Sequence, residues 1–376
     1  MKLKITISKV DKYIFFSLIP PFLYSIILLL MIMLLDKIFD LADLVFKKKI
    51  PFIVVLEILS LSIPYMLALV IPMSMLVSTL YVFGNLGQDR EILALSTSGI
   101  SLLRITRVPL FFSIILFLFL IYFNGFFVPN VNHLLKQKIY YMYRYRPSIA
   151  IKEGVFNEIG NMSIYIEKKE GNGDILKNIR IFQKEEEISQ IINAKEGLIE
   201  RVKNGYILIL KDGMIKEKKE GEISVRRVEF KEYKIYIEDK REEEIGIVSK
   251  SDRELTLREL LLNIERNLEK LRKNKEENKF LFLETQRYWV EVHKKFSIPF
   301  ASIVFVIIGI PLAKIFGKAG WGSAFGISII VFTIHYILLV VGEELADRGM
   351  ISTFLAMWTG NILTLLTGIY LLYKTR

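Results

Sequence analysis

The chain has 376 residues, of which 52% are hydrophobic and 24% are charged, so apolar and charged residues must be segregated along the sequence. It has no cysteine, which excludes disulfide bonds and thiolate metal sites. The formal net charge is +11, yet residues 130–292 carry 33 Lys and Arg against 30 Asp and Glu. Because a nucleic-acid-binding protein concentrates its positive excess on a soluble surface, this distribution argues against nucleic acid as a partner.

Apolar segments long enough to cross a membrane begin near the N-terminus and recur towards the C-terminus. A bilayer core of about 30 Å needs roughly 20 helical residues, and the backbone satisfies its hydrogen bonds there by forming a helix. The sequence therefore predicts six transmembrane helices, with a long polar segment between the third and the fourth. The predicted spans are 13–35, 52–83, 108–128, 296–315, 322–341 and 353–373.

Basic residues follow the first and the third predicted spans. Lys37, Lys47, Lys48 and Lys49 lie in the first loop, and Arg144 lies in the aromatic stretch YYMYRYRP. Because cationic groups at a membrane face bind lipid phosphates, these residues are the predicted phosphate-binding set. Simple anchoring at the head groups also accounts for the lysines, and an interfacial aromatic belt also accounts for the stretch around Arg144.

A short polar connection, residues 84–107, joins the second and third predicted spans. Within it, residues 89–97 predict a short helix, since acidic residues stand near the start and Gly99 follows where a helix would end. Such a helix lies across the membrane face, where a soluble partner can push on it. Glu91 is either an acid that stabilises the helix dipole or a carboxylate that pairs with a basic partner subunit.

The polar segment predicts a β domain over residues 130–250. Turn residues separate β-rich pieces, and short strands at such spacing indicate a sandwich or a jelly roll. The fold class is thus an α-helical membrane protein with an all-β, jelly-roll-like domain between helices 3 and 4. The turn signals lie at 171–174, 204–205, 212–213 and 220–221, and the β-rich pieces at 162–167, 175–182, 206–210 and 223–237.

Residues 251–293 predict an amphipathic helical segment that returns the chain to the membrane. Leucine and isoleucine recur over 255–283 at heptad-like spacing with many charges between them. The transmembrane parts are therefore residues 1–129 and 294–376. Their short loops are basic on one side of the membrane, whereas the turn at 342–352 is acidic, which places both termini inside and the β domain outside.

The sequence has no recognisable motif for catalysis or cofactor binding. The phosphate-binding pattern GxxxxGK[ST] is absent, and no GxSxG or SxxK segment frames a nucleophile. His133, His293 and His335 are scattered, which favours ordinary packed or interfacial histidines over a zinc site. The sequence therefore predicts neither an enzyme nor a metal site. Glu57, near the start of the second span, is either a lining residue or a carboxylate at head-group level.

Three local sequences occur in a characteristic order. They are DREILAL at 89–95 with SGIS at 98–101, HKKFSIP at 293–299 with GIPL at 309–312, and LAMW at 355–358 with Asn361. Together with the order of spans and β domain, they resemble the LptF/LptG permease family (YjgP/YjgQ) of lipopolysaccharide export over almost the whole chain. The family pattern near the end is WxPN, whereas Thr359 and Gly360 follow the tryptophan here.

This resemblance implies a permease subunit of an ATP-driven ABC-type exporter in the bacterial inner membrane, with cytoplasmic termini and a periplasmic β domain. Family members pair as LptF with LptG, bind a dimer of the ATPase LptB, and pass lipopolysaccharide through their β domains to LptC and LptA. The partner subunit then binds ATP, and this chain needs no cofactor of its own. The resemblance assigns residues 84–100 to a coupling helix and the first and fifth spans to lateral gates. The predicted coupling residues are Asp89, Arg90, Glu91 and Leu95.

Two functions of other classes stay open at the level of sequence. A secondary transporter usually carries paired carboxylates or broken helices near the midplane, and this signature is weak here despite Pro64 and Pro72. A membrane-anchored sensor or scaffold would instead bind a ligand with its outside domain and transport nothing.

Overall fold

The computed structural model describes most of the chain as helices and strands. The described residues are 9–46, 50–145, 153–159, 162–170, 175–184, 188–202, 205–219, 226–238, 250–273, 278–317 and 320–375. They form two compact units. The helical unit comprises the described parts of Met1–Leu35, Leu61–His133 and Lys250–Arg376, and the sheet unit comprises those of Asp36–Ser60 and Leu134–Ser249.

Helices form where the apolar runs lie. Within the described residues, six helical stretches are long and apolar enough to cross a membrane, which confirms the six predicted spans. Each stretch is longer than its predicted span, because polar residues continue the helix beyond the apolar run. The helices are α1 (Lys9–Phe46), α2 (Phe52–Gln88), α3 (Glu91–Thr97), α4 (Leu102–Ile105), α5 (Arg107–Tyr122), α6 (Val128–Tyr145), α7 (Leu257–Lys273), α8 (Asn278–Phe316), α9 (Trp321–Asp347) and α10 (Thr353–Lys374).

The third membrane span changes its helical pitch partway along. A π-helical turn, Phe123–Phe127, separates α5 from α6 within one continuous helical stretch. A π turn shifts the backbone hydrogen bonds by one residue and frees a carbonyl from its usual partner. The ammonium group of Lys295 on α8 donates to the Asn124 carbonyl at 3.1 Å. The irregular turn therefore receives a buried cation from a neighbouring span.

The fourth span, within α8, is the most enclosed of the six. Burial reaches 67% of its most apolar stretch, against 22–33% for the others. The neighbouring helices α9 and α10 approach closely, since a Cβ at Gly342 would overlap the Ala356 carbonyl oxygen. Asn361 of α10 donates to the Ser297 carbonyl on α8 at 2.8 Å. α10 runs unbroken through Gly360, where the WxPN pattern would place a proline.

The described strands form one antiparallel sheet. Its six strands pair in sequence order, so the described part is a meander. This result confirms the predicted strand pieces inside the described ranges, whereas the jelly-roll connectivity and the side of the membrane stay predictions. The strands are β1 (Phe156–Ile159), β2 (Met162–Glu170), β3 (Ile175–Lys184), β4 (Ile188–Val202), β5 (Gly205–Lys219) and β6 (Arg226–Glu238).

A line of charged residues creases this sheet from β2 to β6. In each of these five strands, two consecutive side chains point away from the apolar core. The alternation of inward and outward side chains is therefore shifted by one residue beyond this pair. Asn178 and Asp212 on this line have φ of 50° and 49°, a conformation that Asn and Asp tolerate better than most residues. The outward pairs are Glu167–Lys168, Lys177–Asn178, Lys195–Glu196, Lys211–Asp212 and Lys231–Glu232.

The predicted turn at 212–213 is therefore wrong. β5 continues from Gly205 to Lys219 through this position, and it stays paired with β4 and β6 on both sides. The turn-forming chemistry of Asp212 and Gly213 bends the strand at the crease and does not reverse it. Cross-strand charges support the bend, since Lys177 forms an ion pair with Glu196 and lowers the pKa of that carboxyl through a hydrogen bond.

The single predicted helix over 255–283 is also wrong. The structure has α7 ending at Lys273 and α8 beginning at Asn278, and the two pack against each other through Leu260, Ile264 and Val292. The start of α7 is a capping box, in which Glu259 accepts the Thr256 amide at 2.8 Å while its own amide donates to the Thr256 hydroxyl at 3.3 Å. Lys250 also donates to Glu259 at 2.7 Å.

We expect Gly213→Ala to destabilise the sheet unit by about 1–3 kcal/mol, because the added Cβ would overlap the Asn193 carbonyl oxygen and lie 2.5 Å from the Phe230 ring. Limited proteolysis of the full chain in detergent measures this change as faster cleavage within 153–238. Gly322→Ala is the matched control, because a Cβ there meets nothing within 4 Å. Equal protection in both variants would contradict the crease.

We expect the capping box to stabilise α7 in a pH-dependent manner. Burial alone would raise the pKa of Glu259, but the hydrogen bonds from Lys250 and Thr256 outweigh it and lower the pKa to about 2. Stabilisation by this carboxylate is therefore complete above its ordinary pKa of 4.5 and is lost as the pH falls towards 2.

Accordingly, Glu259→Ala should weaken α7 by about 1 kcal/mol at pH 7 and by progressively less below pH 4.5. Amide hydrogen exchange of α7 measures the difference, with the exposed Glu269→Ala on the same helix as control. A difference that does not shrink in acid would contradict this account.

Candidate functional site

The predicted short helix between the second and third spans is present as α3. It begins at Glu91, two residues later than predicted, because Arg90 adopts a left-handed conformation with φ of 58°. It ends at Thr97, and Gly99 follows with φ of 81°, which fits the predicted stop. A left-handed residue cannot continue an α-helix, so Arg90 sets α3 apart from α2.

One face of α3 is attached to the core of the helical unit. Ile92 and Leu95 are partly buried and pack on the cluster that contains Ile14 and Leu18 of α1. The opposite face is open, and Leu93 is 61% exposed. The open face of α3 therefore carries an exposed apolar side chain, and contact of this helix with a partner protein stays a prediction.

Two polar contacts tie this region to the start of α1. The Tyr13 hydroxyl donates to Glu91 Oε1 at 3.1 Å. The Arg104 guanidinium on α4 donates to Asp11 Oδ2 at 2.9 Å. α3 and α4 are therefore bonded to the first span on both sides of the bend at Gly99.

The predicted coupling residues differ in how they are held. Glu91 and Leu95 contact α1 and the core, whereas Asp89 and Arg90 are exposed in the turn before α3. The structure thus brings all four to one short segment. Their contact with a partner subunit stays a prediction.

Among the predicted phosphate-binding residues, the structure describes the side chain of Lys37 alone. Lys37 is exposed on α1, and Arg144 lies in α6, but its side chain is outside the description. Lys47, Lys48 and Lys49 lie outside the described residues. Their role as lipid contacts stays a prediction.

Glu57 has a partner that the sequence did not reveal. Its Oε2 lies 2.7 Å from the ammonium of Lys138 on α6, and both side chains are more than a third exposed. Such a pair contributes less than about 1 kcal/mol. It joins α2 and α6 within the sheet unit.

The histidines are held by separate local contacts. His133 lies 3.0 Å from Glu254, His335 lies 3.3 Å from Thr364, and His293 stacks on a tryptophan ring. No group of three or more potential metal ligands occurs among the described residues. These contacts fit the packed or interfacial interpretation.

An ion-pair quartet of Arg253, Glu291, Lys294 and Glu343 is the main polar cluster that sequence reasoning missed. Glu343 accepts from Lys294 at 2.9 Å and from Arg253 at 3.1 Å. Glu291 lies 2.9 Å from Lys294 and 3.8 Å from Arg253. The side chains of Glu291, Lys294 and Glu343 are only 11–17% exposed. The quartet joins the segment before α7 to α8 and α9.

Asp252 lies beside this quartet, in a 3-10 turn just before α7. Burial raises the pKa of its carboxyl, and the nearby Glu291 carboxylate raises it further. A carboxyl group with a raised pKa binds a proton more readily as the pH falls.

A cavity of about 350 Å³ opens beside the quartet within the helical unit. Its wall combines the quartet with apolar residues of the spans, such as Ile298, Leu339 and Val340. A signal for this site was visible in the sequence as charges at the ends of apolar runs. The partners could not be matched, because they lie on three separate segments of the chain.

In the part of the chain that the structure describes, six helices of membrane-spanning length with a β-sheet inserted after the third define a multi-pass membrane protein. The sequence pattern of the family described as "Lipopolysaccharide export system permease LptF/LptG" matches residues 12–374, nearly the whole chain. The chain therefore belongs to the LptF/LptG family. Its members are membrane subunits of lipopolysaccharide transport and are not known enzymes.

The chain is also similar to "Uncharacterized protein RP871" of Rickettsia prowazekii (strain Madrid E). The two are 28% identical over 138 residues, which is 36% of this chain and 38% of that protein. The chain thus matches less than half the length of this curated relative, and the relative's description assigns no function.

We expect Glu343→Gln to lower the free energy of unfolding of the helical unit by about 3 kcal/mol, because it leaves two cations, Lys294 and Arg253, with Glu291 as their one remaining carboxylate in the quartet. Glu344→Gln is the matched control on the next residue, since Glu344 pairs with the exposed Arg348 and lies outside the quartet. The control should change stability by less than about 0.5 kcal/mol. Unfolding in mixed micelles measures the free energy of unfolding of both variants. An equal loss in the two variants would contradict a structural role for the quartet.

Proposed function

We propose that this chain is the permease subunit of an ATP-driven ABC-type exporter, which extracts lipopolysaccharide from the bacterial inner membrane and passes it to a periplasmic bridge towards the outer membrane. The observation that carries this proposal is the family match over residues 12–374. The six spans and the inserted sheet support it, since they follow the order that such a subunit requires.

Extraction of a lipid with several acyl chains needs an external source of energy, because each exposed CH₂ group costs about 0.8 kcal/mol. The sequence lacks a phosphate-binding loop, so ATP is bound and hydrolysed by a partner ATPase dimer of the LptB type. This chain supplies apolar spans for the acyl chains. Lys37, Lys47, Lys48, Lys49 and Arg144 bind the phosphates.

α3 is the coupling helix to which the ATPase binds. Its open face carries Leu93, and Glu91 stands at its start beside Asp89 and Arg90. The left-handed residue Arg90 separates α3 from α2, while the Tyr13–Glu91 bond attaches it to α1 and Leu95 packs on the core that the spans share. A push on α3 is therefore transmitted to the first span through this hydrogen bond and to the other spans through their shared core.

Other subunits complete the assembly. A second LptF/LptG-type permease supplies the other half of the lipid path, and LptC- and LptA-like proteins continue the path from the sheet unit. The positive-inside rule favours α3 and both termini on the cytoplasmic side and the sheet in the periplasm, since the turn between α9 and α10 is acidic.

We expect two variants to distinguish binding of the ATPase to α3 from coupling between α3 and the first span. Glu91→Lys should abolish co-purification of the ATPase, because it reverses the charge at the contact. Tyr13→Phe should leave the complex intact, yet lower lipopolysaccharide-stimulated ATP turnover about two- to tenfold, which corresponds to one lost hydrogen bond. Purification of the full complex followed by ATPase assays measures both.

The matched control is Tyr24→Phe, which removes the hydroxyl of an exposed tyrosine on the same helix. Its stimulated turnover should equal that of the unmodified chain. If Glu91→Lys still copurified with an ATPase and transported lipid, α3 would not be the coupling helix. If no ATPase bound the unmodified chain, a secondary transporter or an anchored sensor would replace the exporter.

A further inference from the structure

The cavity beside the quartet carries two charges that its own residues do not pair. Arg253, Glu291, Lys294 and Glu343 neutralise one another, and Glu344 pairs with Arg348. Lys295 and Asp347 also line the cavity. Within the described residues, neither of these two has an ion pair within 4 Å. One positive and one negative group therefore face the same space.

Lys295 is a buried cation with one polar contact among the described residues. The residue is 7% exposed, and its ammonium group donates to the Asn124 carbonyl at 3.1 Å. An ammonium group has three donors, so two remain for a ligand. Because a buried charge without a counter-charge is costly, this position favours an anionic group close to Lys295.

Asp347 and Asn124 offer acceptors without donors. Asp347 Oδ1 and Asn124 Oδ1 are buried and have no hydrogen-bond partner among the described residues. Asn124 as a whole is 7% exposed, and both residues line the cavity. A buried oxygen of this kind is satisfied by an N–H or O–H donor, and a carboxylate prefers a donor that carries positive charge.

Apart from Tyr65, Asn132 and Tyr336, the remaining wall of the cavity is apolar and belongs to membrane spans. Ile298 of α8 and Leu339 and Val340 of α9 line it, and Val340 is 43% exposed. The hydrocarbon chain of a bound lipid can therefore extend from the cavity along these helices into the bilayer, while the head group stays in the cavity. The volume of about 350 Å³ lies in the range of small-molecule sites and suits a head group.

We propose that this cavity binds the head group of a phospholipid that carries both a phosphate and a primary ammonium, as phosphatidylethanolamine does. The phosphate binds Lys295, and the ammonium donates to Asp347 and Asn124. A purely anionic lipid leaves Asp347 unpaired, and a purely cationic ligand leaves Lys295 unpaired. A choline head group lacks N–H donors, so it cannot satisfy the buried oxygens.

This proposal does not depend on the transport function. A zwitterionic ligand adds no net charge to a site whose own charges are balanced, so its binding requires no further counter-ion. The lipid would join the π turn of the third span, α8 and the last turn of α9. A ligand that binds the folded chain alone raises its stability with concentration.

The test uses the purified, delipidated full chain in detergent. Short-chain phosphatidylethanolamine, phosphatidylcholine, phosphatidylglycerol and lipopolysaccharide are each titrated, and thermal unfolding together with native mass spectrometry records binding. We expect phosphatidylethanolamine to bind at least tenfold more tightly than the other two phospholipids. Lipopolysaccharide offers phosphates without this ammonium, so its binding should not compete with phosphatidylethanolamine at this site.

Two variants assign the two ends of the ligand. Lys295→Met should weaken phosphatidylethanolamine binding at least tenfold. Asp347→Asn should remove the preference for phosphatidylethanolamine over phosphatidylglycerol while a residual phosphate contact persists. Lys279→Met, an exposed lysine of α8, and Asp36→Asn, an exposed aspartate of α1, are the controls. Val340→Phe, which narrows the opening, is a further variant in case Lys295→Met does not fold.

The outcomes divide clearly. Loss of selectivity in Asp347→Asn together with weaker binding in Lys295→Met or Val340→Phe supports the site. Equal binding of the three phospholipids to the unmodified chain would overturn the proposed site, and the cavity would then be occupied by water. Competition by lipopolysaccharide would instead make it a phosphate subsite of the transported lipid and would also overturn the proposed ammonium contact.

Discussion

A helix enclosed by other helices must satisfy its polar groups within the protein, because neither water nor lipid is available to them. α8 is the helix on which this constraint acts most strongly, since most of its apolar stretch is buried. Its polar residues reach four neighbours: Ser302 donates to the Ser113 carbonyl on α5, Lys295 to the π turn, Lys294 to α9, and the Ser297 carbonyl accepts from Asn361 of α10. The rest of the helical unit is arranged around these contacts.

The two ends of the helical unit are built differently. At one end, one hydrogen bond and one partly exposed ion pair join α3 and α4 to the start of α1, and the exposed Leu93 leaves a surface open. At the other end, the quartet and the close crossing at Gly342 hold α8, α9 and α10 together. The end with weaker contacts is suited to movement, and the end with buried ion pairs is suited to fixing the geometry of a site.

The sequence predicted the spans and α3 well, because both depend on local properties. Length and apolar composition define a span, and Gly99 marks the end of α3 whatever its surroundings. The two separate helices α7 and α8 were missed, since a heptad-like pattern also fits two helices packed face to face. The crease was read as a turn because Asp212 and Gly213 have the same local preference in either setting.

The quartet and the cavity were beyond the reach of local patterns. Arg253, Glu291 and Glu343 are charged residues at the ends of helices, where solvated charges are ordinary. Only the packing of three segments distinguishes them from such charges. The family match gives the chain its class, but it does not locate this cavity.

The crease divides the sheet into two plates that share one apolar interior, and each strand from β2 to β6 contributes to both plates. Because the alternation of inward and outward side chains begins anew after the crease, the inward positions of one plate do not fix those of the other. A plate can be lengthened by two residues per strand and keep its apolar side inward, whereas an insertion of one residue turns that side outward. Variation in sheet length among such proteins should therefore proceed in steps of two on either side of a fixed corner, and chimaeras should be joined at that corner.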